Sequence, residues 1–327
     1  MARNDTAATA LLFDRDDVEE VDDWSERLGS LGRSSILWID LPCPDDERAH
    51  ELADALDLTQ SSCERLTDSK GKPFFGDFGT YLHVTAHAPA AVESSSELER
   101  VACLVSKRWV VTVHDADVPV LDAFRERAAG SGETGQIDGL QFLAYLLEWV
   151  VEGYLEAFER IEVDLEQIDA RVMQGRVDEP DAVIGQLVAH RQRIGRLRRA
   201  LVSHRTMLLS LARPELDGIG DDDDAERFSE LRTRLEEAVQ AARDSRDSIV
   251  GSFDVLIAHT GYRTNEIMKV LTLASVLLLP GALLAGVLGM NFQVGLFEHA
   301  GLFWVVVGLI VAVAAGTLVI ARARRWI

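Results

Sequence analysis

The sequence is poor in cysteine. Its three thiols, Cys43, Cys63 and Cys103, are spread over 327 residues without a Cys-x-x-Cys pair. Neither a disulfide framework nor a thiolate zinc site is expected, and buried free thiols are the plain reading. No nucleophile–base arrangement, phosphate-cradling glycine loop or His-Glu-x-x-His motif is present, so catalysis finds no positive support. Basic charge is also scarce: 33 Lys and Arg stand against 54 Asp and Glu, a net charge of −21. A phosphate backbone needs a basic footprint, which excludes nucleic acid as a partner. The acidic balance suits a surface that attracts cations, or simple solubility. Met1–Asp16 lacks a basic-then-apolar stretch, so no secretory signal is expected and the N-terminal part should stay in the compartment where it is made.

What is present is concentrated at the far end. Val270–Leu288 runs nineteen residues without a charge, and Leu302–Ala321 runs twenty. At about 1.5 Å per helical residue each matches a hydrocarbon core of about 30 Å. Two such spans in series read as a hairpin in the membrane. The connection, Gly289–Gly301, has no Lys or Arg, whereas Arg263 and Lys269 precede the first span and Arg322, Arg324 and Arg325 follow the second. The positive-inside rule therefore places both termini in the cytoplasm and the short loop outside, in a cell (inner) membrane. Pro280 interrupts the first span, and Gly281, Ala285 and Gly289 form a small-residue stripe that permits close helix approach. Two helices alone cannot enclose an aqueous path, so transport would need several copies.

The preceding residues are water-soluble in pattern. Ser34–Pro42 and Gly79–His87 read as strands, Asp45–Leu58 as a capped helix, Arg100–Ser106 with Arg108–His114 as a hairpin, and Val118–Ala128 as a helix. From Ile137 the period changes to three-four spacing, with Leu140, Leu143, Leu147, Val150, Tyr154, Ile161, Leu165 and Ile168 on one face. Gly175–Pro180 breaks this helix, and Asp181–Ala212 supplies an Arg-rich return. After a second break at Pro214–Gly220, the row Phe228, Leu231, Leu235, Ala238, Ala242, Ser245, Ile249, Ser252 and Leu256 keeps a heptad spacing. No strong breaker separates this row from the first span. Residues 225–289 are expected to form one helix of about 100 Å at 1.5 Å per residue. The expected fold class is α+β: a cytoplasmic α/β domain over 1–135, long cytoplasmic helices including a stalk over 136–262, and a two-helix transmembrane pore region over 263–327.

The run Arg263-Thr264-Asn265-Glu266-Ile267-Met268-Lys269-Val270-Leu271-Thr272, then Pro280, then Gly289-Met290-Asn291 at the outer end of the first span, resembles the CorA-type divalent metal-ion transporters. The resemblance implies a homopentamer in lipid, with the first span of each copy lining a central pore. Gly289, Met290 and Asn291 would form the selectivity filter, the amide oxygens holding a hydrated ion; Mg²⁺ sheds its water reluctantly, so such contacts select it without stripping it. Asn265 matches a second polar ring. Met268, Leu271 and Leu279 match an apolar constriction that closes by dewetting, and Gly286 lies in the same pore lining. Asp254 matches a carboxylate below the gate, and Glu230 one acid of a regulatory Mg²⁺ site between copies. Mg²⁺, or another divalent cation, would thus be both transported and regulatory, with Co²⁺ and Ni²⁺ also accepted.

Several positions depart from the family pattern. Leu288 stands where an aromatic is common, Ala282 where a threonine is frequent, and the loop Phe292–His299 lacks the usual Met-Pro-Glu-Leu, Glu298 being a rough substitute. A zinc transporter, with proton coupling as an option, therefore remains an alternative, as does a non-conducting membrane-anchored sensor or scaffold. Asp221–Asp224 reads as a solvated helix start. His83 and His87 with Asp77 are not expected to bind metal, because four strand residues separate the two rings by about 13 Å.

Overall fold

The structure is a computed structural model and describes residues 8–14, 17–32, 35–42, 45–68, 71–90, 98–115, 118–122, 125, 138–176, 179–211, 222–288 and 300–323. The chain divides into two compact units. One comprises Met1–Ile168 with Asp178–Ser252, the other Asp169–Val177 with Phe253–Ile327.

The first unit is built on a seven-stranded sheet. Its strands are β1 (Thr9–Asp14), β2 (Asp17–Glu20), β3 (Ile36–Pro42), β4 (Phe74–Asp77), β5 (Leu82–Pro89), β6 (Leu98–Val105) and β7 (Trp109–His114), in the order β2-β1-β3-β7-β6-β5-β4. Only β3 and β7 pair in parallel; the other contacts are antiparallel. Alternation decides the two faces. Leu37, Ile39, Leu41, Leu104, Val111 and Val113 share a core with Leu52, Leu56, Cys63 and Leu66 of α2 (Asp46–Ala55) and α3 (Gln60–Thr67), where Trp24 and Leu28 of α1 (Trp24–Leu28) also pack. On the opposite face Trp38 packs on Phe142 of α4 (Gly139–Met173), with ring centroids 5.1 Å apart. A Cβ at Gly139 would lie 2.7 Å from Val105 Cγ1 and 2.9 Å from the Ser106 carbonyl oxygen. Glycine is what lets α4 start this close to the sheet.

The expected hairpin is β6–β7, and the expected strand over 79–87 lies at Leu82–Pro89. The expected helix 45–58 is two helices. Asp57 takes a left-handed φ of 53°, and Thr59 then caps α3 by accepting from the Ser62 N–H. Its side chain can occupy that region because Asp tolerates it better than most residues. Of the helix expected over 118–128, residues 119–122 are helical and most of the remainder lies outside the described residues. Cys63 and Cys103 are buried free thiols.

Two long helices complete the first unit: α5 (Pro180–Leu211) and the beginning of α6 (Asp222–Leu288). All nine members of the heptad row from Phe228 to Leu256 are buried, as are all eight apolar residues named on α4. β4 begins at Phe74, opposite Thr85, so no described strand pairs with the backbone of His87 on that side. The helices satisfy it instead. The His87 N–H donates to Nε2 of His204 on α5 (3.0 Å), and the Tyr154 hydroxyl of α4 donates to the His87 carbonyl (2.9 Å). Accepting at Nε2 fixes the proton of His204 on Nδ1, which donates to the Ala200 carbonyl (2.8 Å).

The second unit contains the end of α4, the remainder of α6, and α7 (Ala300–Ala323). Gly175 closes α4 at φ 67°, with the Arg176 N–H reaching back to the Arg171 carbonyl and the Gly175 N–H to that of Val172. This left-handed glycine cap is the physical form of the break expected at Gly175–Pro180.

Candidate ion-conducting segment

The apolar half of α6 is a helix that the described residues of its own chain leave largely uncovered. None of its most apolar eighteen-residue stretch is buried, and the same holds for most of α7. Leu278, Leu283 and Val270 are each about two-thirds exposed or more. A water-soluble helix with this composition would be enclosed; here the surroundings must be lipid or other copies of the chain. The hydroxyls fit a medium without water. Thr264 donates to the Thr260 carbonyl, Thr272 to Met268, Ser275 to Leu271, and Thr317 on α7 to Val313, at 2.7–2.9 Å. Each polar side chain is thus satisfied by the preceding turn of its own helix. Pro280 lies inside α6 and removes the N–H that would bond the Val276 carbonyl.

The expected pore residues fall into order on this helix. At about 100° per residue, Asp254, Asn265, Met268, Leu279 and Gly286 share one face, with Leu271 at its edge. The heptad rows 254-261-268-275-282 and 265-272-279-286 add Gly261, Thr272 and Ser275, which a reading of motifs alone did not single out. Their signal was the seven-residue step from Asp254 for Gly261 and Ser275, and from Asn265 for Thr272. Asp254, Asn265, Met268, Leu271, Thr272 and Leu279 are exposed, and among the described residues nothing stands within 4 Å of where a Cβ would lie on Gly261 or Gly286. Gly281 points the other way and approaches α7, since a Cβ there would be 3.4 Å from Ile310 Cγ2. So α7 stands behind α6 and leaves the polar-and-apolar stripe free. Gly289, Met290, Asn291 and Glu298 lie outside the described residues.

Glu230 is on a different face of α6, in the first unit. It lines a cavity of about 280 Å³ between α4 and α6 with Gln141, Ala144, Tyr145, Glu148, Arg227, Leu231 and Arg234. Arg234 binds Glu148 at 2.7 Å, so the nearby acid is already matched. Arg227 approaches the Gln141 amide, whose oxygen accepts from Nη1 at 2.7 Å. Glu230 itself is exposed. Among the described residues no group of three or more His, Cys, Asp or Glu is arranged to hold a metal within one chain.

The histidines of the sheet have structural partners. His83 Nδ1 meets Ser62 Oγ at 3.1 Å in a chain that includes the Tyr81 and Thr59 hydroxyls. Burial, and then Arg65 and Arg100, lowers its pKa to about 3. Burial likewise lowers His87, and lowers His204 to about 4. His114 faces the buried Asp40, which is also held by Arg125 and Thr112. Arg100 joins Asp115 (2.6 Å) and covers the terminal carbonyl of Leu66 on α3 (3.0 Å).

The family described as CorA-like Mg²⁺ transporter protein matches residues 33–322. The chain belongs to that family. Membership makes it a membrane-embedded transporter of divalent cations, not an enzyme. The cobalt/magnesium transport protein CorA of Methanocaldococcus jannaschii is 21% identical over 295 residues, covering 89% of this chain and 92% of its own length. The complete structure of the CorA magnesium transporter from that organism aligns with a TM-score of 0.79 at 20% identity, over 97% of this chain and 98% of that one. The full-length CmaX protein aligns at 0.77 and 21% identity, over 99% and 100%. These likenesses show that the α+β fold with its long helix and two apolar segments is shared from end to end.

Proposed function

We propose that the protein admits Mg²⁺, and with it Co²⁺ and Ni²⁺, through a pore formed by five copies of α6. The observation carrying this reading is the heptad stripe from Asp254 to Gly286, exposed at Asp254, Asn265, Met268, Thr272, Leu279 and Gly286 while α7 approaches the opposite side of the helix at Gly281. In this arrangement both termini are cytoplasmic in the inner membrane, and the chain divides into the 1–135 domain, the 136–262 helices and the 263–327 pore region. Gly289, Met290 and Asn291 of each copy ring the outer mouth, and amide oxygens contact the ion's water shell. Asn265 forms an inner polar ring; Met268, Leu271 and Leu279 form the apolar gate; Asp254 concentrates cations below it. The membrane potential drives entry at about 2.3 kcal/mol per charge per 100 mV. Cytoplasmic Mg²⁺ closes the pore by bridging acids of neighbouring copies, with Glu230 supplying one, because ligand that binds the closed state more tightly shifts the population toward it.

Divalent flux into reconstituted vesicles tests the reading. Mg²⁺ uptake is expected, with a loss of at least about tenfold in Asn291→Ala, the equivalent of about 1.4 kcal/mol. Flux untouched by that substitution removes the filter assignment. Selective Zn²⁺ movement that depends on a proton gradient would favour the altered outer loop over Mg²⁺ use, and no flux at all would favour a sensor or scaffold. For regulation, Mg²⁺ should protect the full-length protein from protease less in Glu230→Ala than in the wild type. Equal protection takes Glu230 out of the sensor.

A further inference from the structure

Charge is distributed very unevenly over the two helices that flank the sheet. Between Arg191 and Arg205, α5 carries six arginines, and its one acid is Asp181. On α4, eight acids between Glu148 and Asp169 face two bases, Arg160 and Arg171. In a chain of net charge −21, α5 is a rare basic surface.

Both helices arrange these residues with a seven-residue step. On α5 the row Arg191, Arg198, Arg205 runs beside Ile184, Val188, Gly195, Val202 and Leu209. The four large apolar members of that strip are 38–49% exposed. On α4 the row Glu152, Glu159, Glu166 runs beside Glu156 and Val163, the latter 47% exposed. Glu152, Glu159, Glu166, Arg191 and Arg198 are exposed and make no hydrogen bond or ion pair to a described residue. Arg205 is held by Glu236 and Glu156 by Arg160. Seven helical residues advance about 10.5 Å on either helix, so acid and base rows have the same axial spacing.

We propose that the basic strip of α5 on one protomer packs against the acidic strip of α4 on the next. The occupant is a second copy of this chain. Two acidic molecules repel over most of their surfaces, and the arginine strip is where approach is favourable. The contact joins different patches on the two partners, so it is heterologous and propagates around a ring. Apolar residues beside the charges supply buried area, as in a helical zipper with flanking ion pairs. This inference rests on the oligomeric transporter reading and adds the soluble contact that sets the order of protomers around the ring.

Carbodiimide coupling of the full-length protein in detergent tests it. Arg191→Lys/Arg198→Lys keeps the charge and introduces amines, which condense with a carboxylate only at ion-pair distance. The expected result is a ladder of covalent multimers, with peptides joining position 191 or 198 to Glu152, Glu159 or Glu166. Adding Glu152→Gln, Glu159→Gln and Glu166→Gln should remove the ladder while native mass and circular dichroism stay unchanged. An oligomer of native mass that gives no ladder, or links only within one chain, overturns this interface and leaves the transporter reading intact. A protein with single-chain mass at every concentration overturns both. Absent coupling together with a loss of bound phosphatidylglycerol in Arg191→Gln/Arg198→Gln assigns the strip to lipid and also overturns the proposal.

Discussion

The helix α6 contains two stretches with the same period and opposite surroundings. Over Phe228–Ser252 its apolar row is covered by the chain itself: Phe228, Leu235, Ala238, Ala242 and Ile249 are at most 1% exposed. Over Val255–Leu288 the composition is far more apolar, yet Leu271, Leu278, Leu279 and Leu283 are 60–71% exposed. Hydrophobicity does not by itself dictate burial within a protomer. A narrow row among charges is satisfied by neighbouring elements of the same chain, whereas a helix apolar all round needs lipid and further copies.

The largest expected effect tests this contrast directly. Leu235→Ala should destabilise the protein by about 2–5 kcal/mol through a buried cavity. Leu278→Ala should stay within about 0.5 kcal/mol, because the side chain is 71% exposed in the protomer. Urea midpoints of the full chain in detergent, followed by tryptophan fluorescence, measure both. Similar losses would erase the distinction between the two stretches.

Next in size is a pH effect confined to the sheet-bearing unit. His83 and His204 are held neutral, with pKa values near 3 and 4 against an ordinary 6.5. Between those values the unfolded chain binds protons that the folded chain does not, so stability is full above about pH 6.5 and falls as pH drops. The loss should reach about 2 kcal/mol for each histidine by pH 5, at about 1.4 kcal/mol per pH unit. A midpoint unchanged between pH 7 and pH 5 contradicts the buried neutral state. In His204→Gln the slope should be smaller, with His83 and His87 keeping the remainder.

The smallest effect distinguishes two glycines of the span. Gly281→Leu must displace Ile310 and should cost about 1–3 kcal/mol through overpacking. Gly286→Leu meets nothing within 4 Å among the described residues. Thermal stability in detergent should fall for the first, while the second should mainly lower ion flux. Equal stability losses would place Gly286 in a packed contact.

Much of this was readable from residue order. The charge-free runs, the heptad from Phe228 to Leu256, the glycine break at Gly175 and the pore candidates from Asn265 to Gly286 are local patterns on one helix, and a helix turns by a fixed angle. The β6–β7 hairpin was visible for the same reason, two alternating segments with a short connection. Less visible were β1 and β2, with few strongly β-forming residues between charges, and β4, a four-residue edge strand. The division of α2 from α3 depended on one left-handed aspartate. Among the candidate site residues, Glu230 was nominated by position alone, and the arginines around it and the pairing of Glu148 with Arg234 were not visible.

Sequence by itself determined the membrane segments, the phase of the stripe along α6 and the family, because each depends on order along one continuous element. Tertiary structure decided which polar groups are spent within the chain. His204 and Tyr154 complete the backbone of His87, Arg234 neutralises Glu148, and Gly281 turns α6 toward α7, leaving the opposite stripe free. These outcomes join residues far apart in sequence, and the cost of burying an unmatched polar group or crowding a packed side chain arises only once such residues meet.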